Sequence, residues 1–369
     1  MRLLAALLVP LLGPLLCGQT FVVDKNNGPG THFTSITAAI AAVPSGAVLE
    51  IRAGNYFEGL GINGKSLTIV GAPGAAVFPN FAASFRIENL TTNQVVVVRG
   101  LRVGFTQGVN PTVYCSNNQG MVFLDDMQNL ASSSLVASQC SALWLSNCRF
   151  LGIQIGTTQP GMQLVDCTTV LDACTVTELV VYGGATQLAS TAVAGRPIFG
   201  VPGFPAATMN GGALRVLGGS LTGNHASGGA IAGTGSVRID PVTTIAAAAP
   251  QFGAGITTTT ATMPYVRTTA SGGGTTVTAT LAGPGGEVGA VFVGLRSLPQ
   301  SLPGADPVWL EVPTMLLAGV AVLGASPLQT VTQLPPSPGY TGLAVVWQGV
   351  SIDAAGSLQL SNPSWILLP

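Results

Sequence analysis

Charge is what this sequence has least of. Only 7% of its residues are Asp, Glu, Lys or Arg, against about a quarter in ordinary soluble domains. The net charge is −1. No basic stripe is present to neutralise phosphates, which excludes a nucleic-acid partner. Histidine is nearly missing too, because His32 and His225 stand alone. Without a paired C-x-x-C beside them a zinc centre is excluded, and with two lone histidines and no nucleophile elbow no Ser-His-Asp group can be argued. Helix-favouring Lys and Glu are scarce, while Gly, Thr, Val and Ala dominate. That balance predicts an all-β chain with many turns. The 47% apolar content excludes general disorder. Met315 to Ala325 is apolar but reaches only about half the length that a bilayer span requires.

The N-terminus is the apolar exception. Arg2 gives a positive end, Leu3 to Leu16 an apolar stretch and Gly18 a cleavage point before Gln19. Residues 1–18 therefore read as a secretory signal. Pro10 and Pro14 break the stretch and argue against an uncleaved anchor. Cys17 fits poorly as a lipid acceptor, because Leu16 stands where a small residue is needed. The expectation is a chain secreted or held at the cell surface, with no transmembrane span after cleavage. Cys115, Cys140, Cys148, Cys167 and Cys174 then remain, an odd set that cannot all pair within the chain.

What recurs is a four-residue signature at intervals of about twenty residues between Val95 and Ile245. An apolar strand ends in Gly, Asp or Asn and then a small or apolar residue. The copies are Val98-Arg99-Gly100-Leu101, Leu124-Asp125-Asp126-Met127, Leu145-Ser146-Asn147-Cys148, Leu164-Val165-Asp166-Cys167, Val181-Tyr182-Gly183-Gly184, Val216-Leu217-Gly218-Gly219 and, more loosely, Arg238-Ile239-Asp240-Pro241. A strand this short cannot bury its own apolar side chains, but coils stacked as a solenoid share one core. Read as one copy per coil, the signature puts Asp126, Asn147 and Asp166 in one column. It stacks Cys148 on Cys167 about 4.8 Å apart, the strand spacing. An inward thiol ladder is preferred there over a specific bridge.

Near the start, Phe33, Ile36, Ile40 and Val43 fall on one helical face, with Thr34 and Ser35 as capping candidates. Pro44-Ser45-Gly46 ends the helix and Ala47 to Ile51 begins a strand. Such a helix suits a lid on an open solenoid end. Phe33-Thr34-Ser35-Ile36-Thr37-Ala38-Ala39-Ile40, Gly54-Asn55-Tyr56-Phe57-Glu58 and Lys65-Ser66-Leu67-Thr68-Ile69-Val70-Gly71 together resemble the opening of the pectin lyase-like superfamily, especially its pectinesterase-type members. The resemblance covers about Thr20 to Gly104 and continues to Ile245 as rhythm. It implies a right-handed parallel β-helix over residues 19–245, with Glu58 supporting the fold.

Ala189 to Gly212, rich in Pro and Gly and carrying Arg196, Phe199 and Phe204, interrupts the rhythm as a projecting loop. Residues 246–263 have linker composition. After them, Thr275–Leu281, Val288–Leu295, Val308–Val312, Leu316–Leu323, Gly342–Trp347 and Ser357–Leu360 read as strands. They predict a small C-terminal β-sandwich-like domain over 264–369.

Adjacent carboxylates are rare in so uncharged a chain, which makes Asp125 and Asp126 the first catalytic candidates. Asp166, Arg149 and Arg196 join them: acids to protonate or attack, arginines to meet a uronate. Asp126 and Asp166 would also serve a calcium ion, the only cofactor the pattern suggests. Asp and Asn at a solenoid corner have a purely structural explanation as well, since both tolerate left-handed backbone. Trp144 alternates with Leu143 and Leu145 and can face outward to stack on sugars, though a place at the core edge is preferred.

The pectinesterase resemblance counts against activity. That group relies on a Q-A-V-A-L-type strand, a Q-D stretch, a D-F-I-F-G strand and an R-P-W segment. The first three have no counterpart, and Gly195-Arg196-Pro197-Ile198 is similar to the fourth without its Trp. Polygalacturonase-type relatives pair D-D with G-H-G; Asn224-His225-Ala226 lacks the second. The favoured expectation is a monomeric, non-catalytic or degenerate protein bound to a polysaccharide or cell-envelope glycan. A polysaccharide lyase or pectinesterase-like enzyme and an adhesin-type stalk remain the alternatives.

Overall fold

Alternation along the strands builds the first part of the molecule. In the strand Val113–Asp125, Val113, Cys115, Val122 and Leu124 turn inward and are buried. Asp125 ends the strand on the outer side, in register with Arg99 before it and Ser146 after it. The computed structural model describes residues 18–79, 84–104, 112–129, 134–152, 159–196, 203–224, 229–247, 250–271, 275–300, 302, 306–334 and 343–368. All of the expected signal except Gly18 lies outside them, as do His225 and Phe199. The described residues divide into two compact units, 18–260 and 261–368.

The first unit is a parallel β-solenoid of about nine turns. Each coil gives two strands, or two halves of one bent strand, to a 15-stranded sheet and a third short strand to a 9-stranded sheet. Every pairing within it is parallel, so like positions stack. Val98, Leu124, Leu145, Leu171, Leu188, Val216 and Ile239 form one inward column, all buried. Each contributes on the order of 1.5–3 kcal/mol by leaving water.

The corners explain the recurring signature and correct one reading of it. Gly100, Asp126, Asn147, Ala173, Ser190 and Gly218 share one corner, all with φ between 45° and 71°. Asn89, Asn117, Gln139, Asp166 and Gly183 share a second corner, also left-handed. The strand–left-handed–inward signature therefore occurs twice per coil. Asp166 stacks on Gln139, because Met162–Val165 pairs with Leu135–Ser138. It does not join Asp126 and Asn147. The segment 151–161 lengthens Asn147's coil, so nineteen residues onward (166 − 147) the chain has reached a different corner. Cys148 correspondingly stacks on Cys174, and Cys167 on Cys140.

The expected helix, here α1, spans Ile36–Ala42, and Ser35 accepts the Ala38 N–H as its N-cap. Ile36, Ala39 and Ile40 join the solenoid core. Within the expected linker, Gly255–Thr260 forms a further strand parallel to Ile231–Ile239. The second unit is antiparallel. Tyr265–Ser271, Thr276–Ala282 and Leu328–Gln333 form one sheet. Val288–Gln300, Val308–Leu310, Leu316–Val322, Ala344–Ile352 and Leu358–Leu367 form another. Val266, Val277 and Leu281 of the first share a core with Val291, Val293 and Trp347 of the second. Among the described residues no helix is long and apolar enough to cross a membrane.

Candidate functional site

Four consecutive coils place charged side chains at the first corner of a nearly uncharged chain. Each coil ends an apolar strand there, turns through a left-handed residue, buries the next side chain and turns the following one outward. Arg99, Asp125, Ser146 and Asp172 take the strand-end position. Leu101, Met127, Cys148 and Cys174 take the buried one. Arg102, Gln128, Arg149 and Thr175 take the outward one, in register along the axis. Arg102, Gln128 and Arg149 are exposed. The two arginines stand two coils apart, roughly 9.6 Å at the ordinary strand spacing.

Asp125 is held by its neighbours. Arg99 Nε lies 3.2 Å from its Oδ2, and Asn147 Nδ2 donates to its Oδ1 at 3.5 Å. Burial raises the Asp125 carboxyl above the usual carboxylate range, and the Arg99 charge offsets this only in part. Asp126 is exposed at the left-handed turn and accepts from Gln128 Nε2 at 3.3 Å. Neither Arg102 nor Arg149 makes an ion pair among the described residues. The arrangement offers two free guanidiniums with an amide between them, on a flat open edge. Chemically, guanidiniums so spaced can donate hydrogen bonds to evenly spaced carboxylates.

The structure thus brings together Asp125, Asp126 and Arg149. Asp166, on the second corner, cannot share a calcium ion with Asp126. Among the described residues no group of three His, Cys, Asp or Glu could hold a metal ion. Arg196 stands at the third corner, where its Nη2 meets Glu178 Oε2 at 3.0 Å with both side chains at most 6% exposed. Its guanidinium also lies 4.5 Å from the Phe204 ring centre. Glu178, raised by burial against the pull of Arg196, has a left-handed backbone (φ 57°). This pair is closed off from solvent and is a structural tie.

Trp144 does alternate with core residues Leu143 and Leu145, and it lies edge-on to Phe123 with centroids 4.9 Å apart. It is buried, as are Trp309, Trp347 and Trp365, so none offers a sugar platform. The sequence reading missed Arg99, Arg102, Gln128 and Asp172. Their signal was fixed position relative to the turn: one residue before the left-handed residue, or two after it.

No family model matches the chain, and no curated protein matches it. Solved structures similar to it include a pectin methylesterase in complex with a hexasaccharide, 16% identical, covering 72% of this chain and 85% of that one, with a TM-score of 0.33. Pectin methylesterase PemA from Erwinia chrysanthemi is 15% identical over the same shares, with a TM-score of 0.31. The pectin methylesterase from Aspergillus niger is 15% identical, covering 66% and 81%, with a TM-score of 0.29.

Proposed function

We propose that this is an exported, non-catalytic protein that binds an acidic polysaccharide of the cell surface or matrix along the Arg102, Gln128 and Arg149 ladder. One observation carries the reading: two arginines without acidic partners stand in register on an exposed solenoid edge, in a chain with 13 Lys and Arg in all. Polymer carboxylates repeat along one axis, as the coils do, so a ladder can meet several at once. The acids beside the arginines serve the wall. Asp125 is engaged by Arg99 and Asn147, and Asp126 forms the turn. The sequence of residues 1–18 supports export.

The test is retention of the chain on immobilised polygalacturonate compared with its fully methyl-esterified form. Retention should favour the acidic polymer and weaken with salt. Arg102→Ala and Arg149→Ala should each weaken it by roughly tenfold, about the worth of one charge-assisted hydrogen bond. Equal retention of both polymers, or no effect of either substitution, overturns the reading.

The raised carboxyl of Asp125 supports an enzymatic alternative, a lyase or esterase in which Asp125 transfers the proton. Asp125→Asn separates the two. Binding alone should persist or tighten, because a negative charge is removed beside a polyanion. An enzyme would lose release of acid or of unsaturated product.

A further inference from the structure

The five described cysteines sort by position. Cys148 and Cys174 occupy the same inward place in consecutive coils, between the registered pairs Ser146/Asp172 and Arg149/Thr175. Cys140 and Cys167 do the same at the second corner, each directly after a left-handed residue. Cys115 stands apart, in register with Ala137. Both columns end in residues that cannot extend them. Asn118 lies below Cys140 and donates to its Sγ at 3.7 Å. Gly184 lies above Cys167, where an added Cβ would come 2.3 Å from the Cys167 carbonyl oxygen. Thr191 follows Cys174 and bonds backbone carbonyls of its own and the neighbouring coil.

We propose that Cys140–Cys167 and Cys148–Cys174 close as two disulfides between adjacent coils when the chain folds in an oxidising compartment, leaving Cys115 as the free thiol. In-register strands set the Cα atoms about 4.8 Å apart, inside the roughly 4.4–6.8 Å that disulfides span. The odd count is thereby resolved.

The oxidant is a low-molecular-mass disulfide such as oxidised glutathione. The thiolate of one cysteine of the pair attacks one of its sulfurs and expels one glutathione thiolate. The thiolate of the other then attacks the protein sulfur of the mixed disulfide and expels the second. The cysteines lose two electrons and two protons, which leave as two glutathione thiols. The second pair follows the same course. All four thiols are buried once the coils have stacked, so exchange belongs to the folding chain.

The test refolds the chain from Gln19 onward, without Cys17, in a glutathione redox buffer, blocks free thiols under denaturing conditions and maps the unreduced peptides. The expected result is two linked peptides, Cys140 with Cys167 and Cys148 with Cys174, and alkylated Cys115. Dithiothreitol should then lower the thermal midpoint by roughly 5–10 °C. Cys115→Ser should keep both bridges, and Cys174→Ser should lose only its own. Should either variant fail to fold, the peptide map of the parent still decides. Full alkylation of all five after oxidative refolding overturns the proposal. So does a bridge from Cys115, or the appearance of only one expected pair.

Discussion

Ala173 bears a conformational cost that its column neighbours avoid. Gly100, Asp126 and Asn147 are residues that accept left-handed backbone, whereas Ala173 adopts φ 51° with no polar side chain to compensate. Ala173→Gly should raise the unfolding free energy by up to about 1 kcal/mol, the strain relieved less the entropy glycine adds to the unfolded chain. Gly218→Ala, at φ 71° and with its nearest side-chain neighbour at an ordinary 3.7 Å, should lower it by about the same. Denaturant titrations of both variants check the pair. Glu58 gives a second test. It accepts from Ser35 Oγ at 2.6 Å, from Ile36 N at 2.9 Å and from Thr37 N at 3.0 Å. Burial alone would raise its carboxyl, but these donors outweigh that and hold it below the ordinary value of 4.5. A lowered folded pKa contributes stability that is present above 4.5 and lost as pH falls through the folded value. Glu58→Ala should therefore cost about 1–2 kcal/mol at neutral pH. The gap from the parent should close on acidification, as read from unfolding midpoints across pH. The supporting role of Glu58 was legible in its motif. The partners that set its strength, 21 to 23 residues earlier, were not.

Strands were easier to find than coils. Short runs bounded by Pro- and Gly-rich turns located the starts of Val288–Gln300, Val308–Leu310 and Leu316–Val322, and helical spacing from Phe33 located α1, which begins at Ile36. Tyr265–Ser271 and Leu328–Gln333 escaped notice because Thr and Gln fill their half-exposed faces. Coil closure was not legible, because two corners use one local signature and only spacing could separate them. The intervening segments are unequal, which destroyed that spacing. It is why Asp166 was grouped with Asp126 and why the arginine ladder went unseen. Among the described residues of the second unit, the strand Leu316–Val322 pairs on one edge only, with Val288–Gln300. It has no charge, and Leu317, Val320 and Val322 are exposed. Val322, Val288, Ile352 and Leu358 continue as one exposed apolar row across the sheet. An uncharged open edge invites pairing with another strand. Val320→Lys should reduce concentration-dependent light scattering while leaving stability within about 0.5 kcal/mol.

At the scale of the molecule, the described residues divide into two units between Thr260 and Ala261. Each unit has its own core. Residues 18–260 expressed alone should give a cooperative β-type melt and keep the polygalacturonate retention of the full chain, because the whole ladder lies within them. Loss of retention by a folded 18–260 piece would place the binding determinants elsewhere.

The third corner differs from the other two in how much chain it admits. Between the strands that meet there, the polypeptide passes with Glu178 alone in one coil and with residues 195–206 in the next, yet the pairing on either side remains in register. Insertions and deletions at that edge consequently leave Arg102, Arg149 and the inward columns of the wall untouched. Descendants of this sequence can acquire or discard surface segments there without refolding the wall, so divergence in length should accumulate on that side while the opposite edge keeps its residue count.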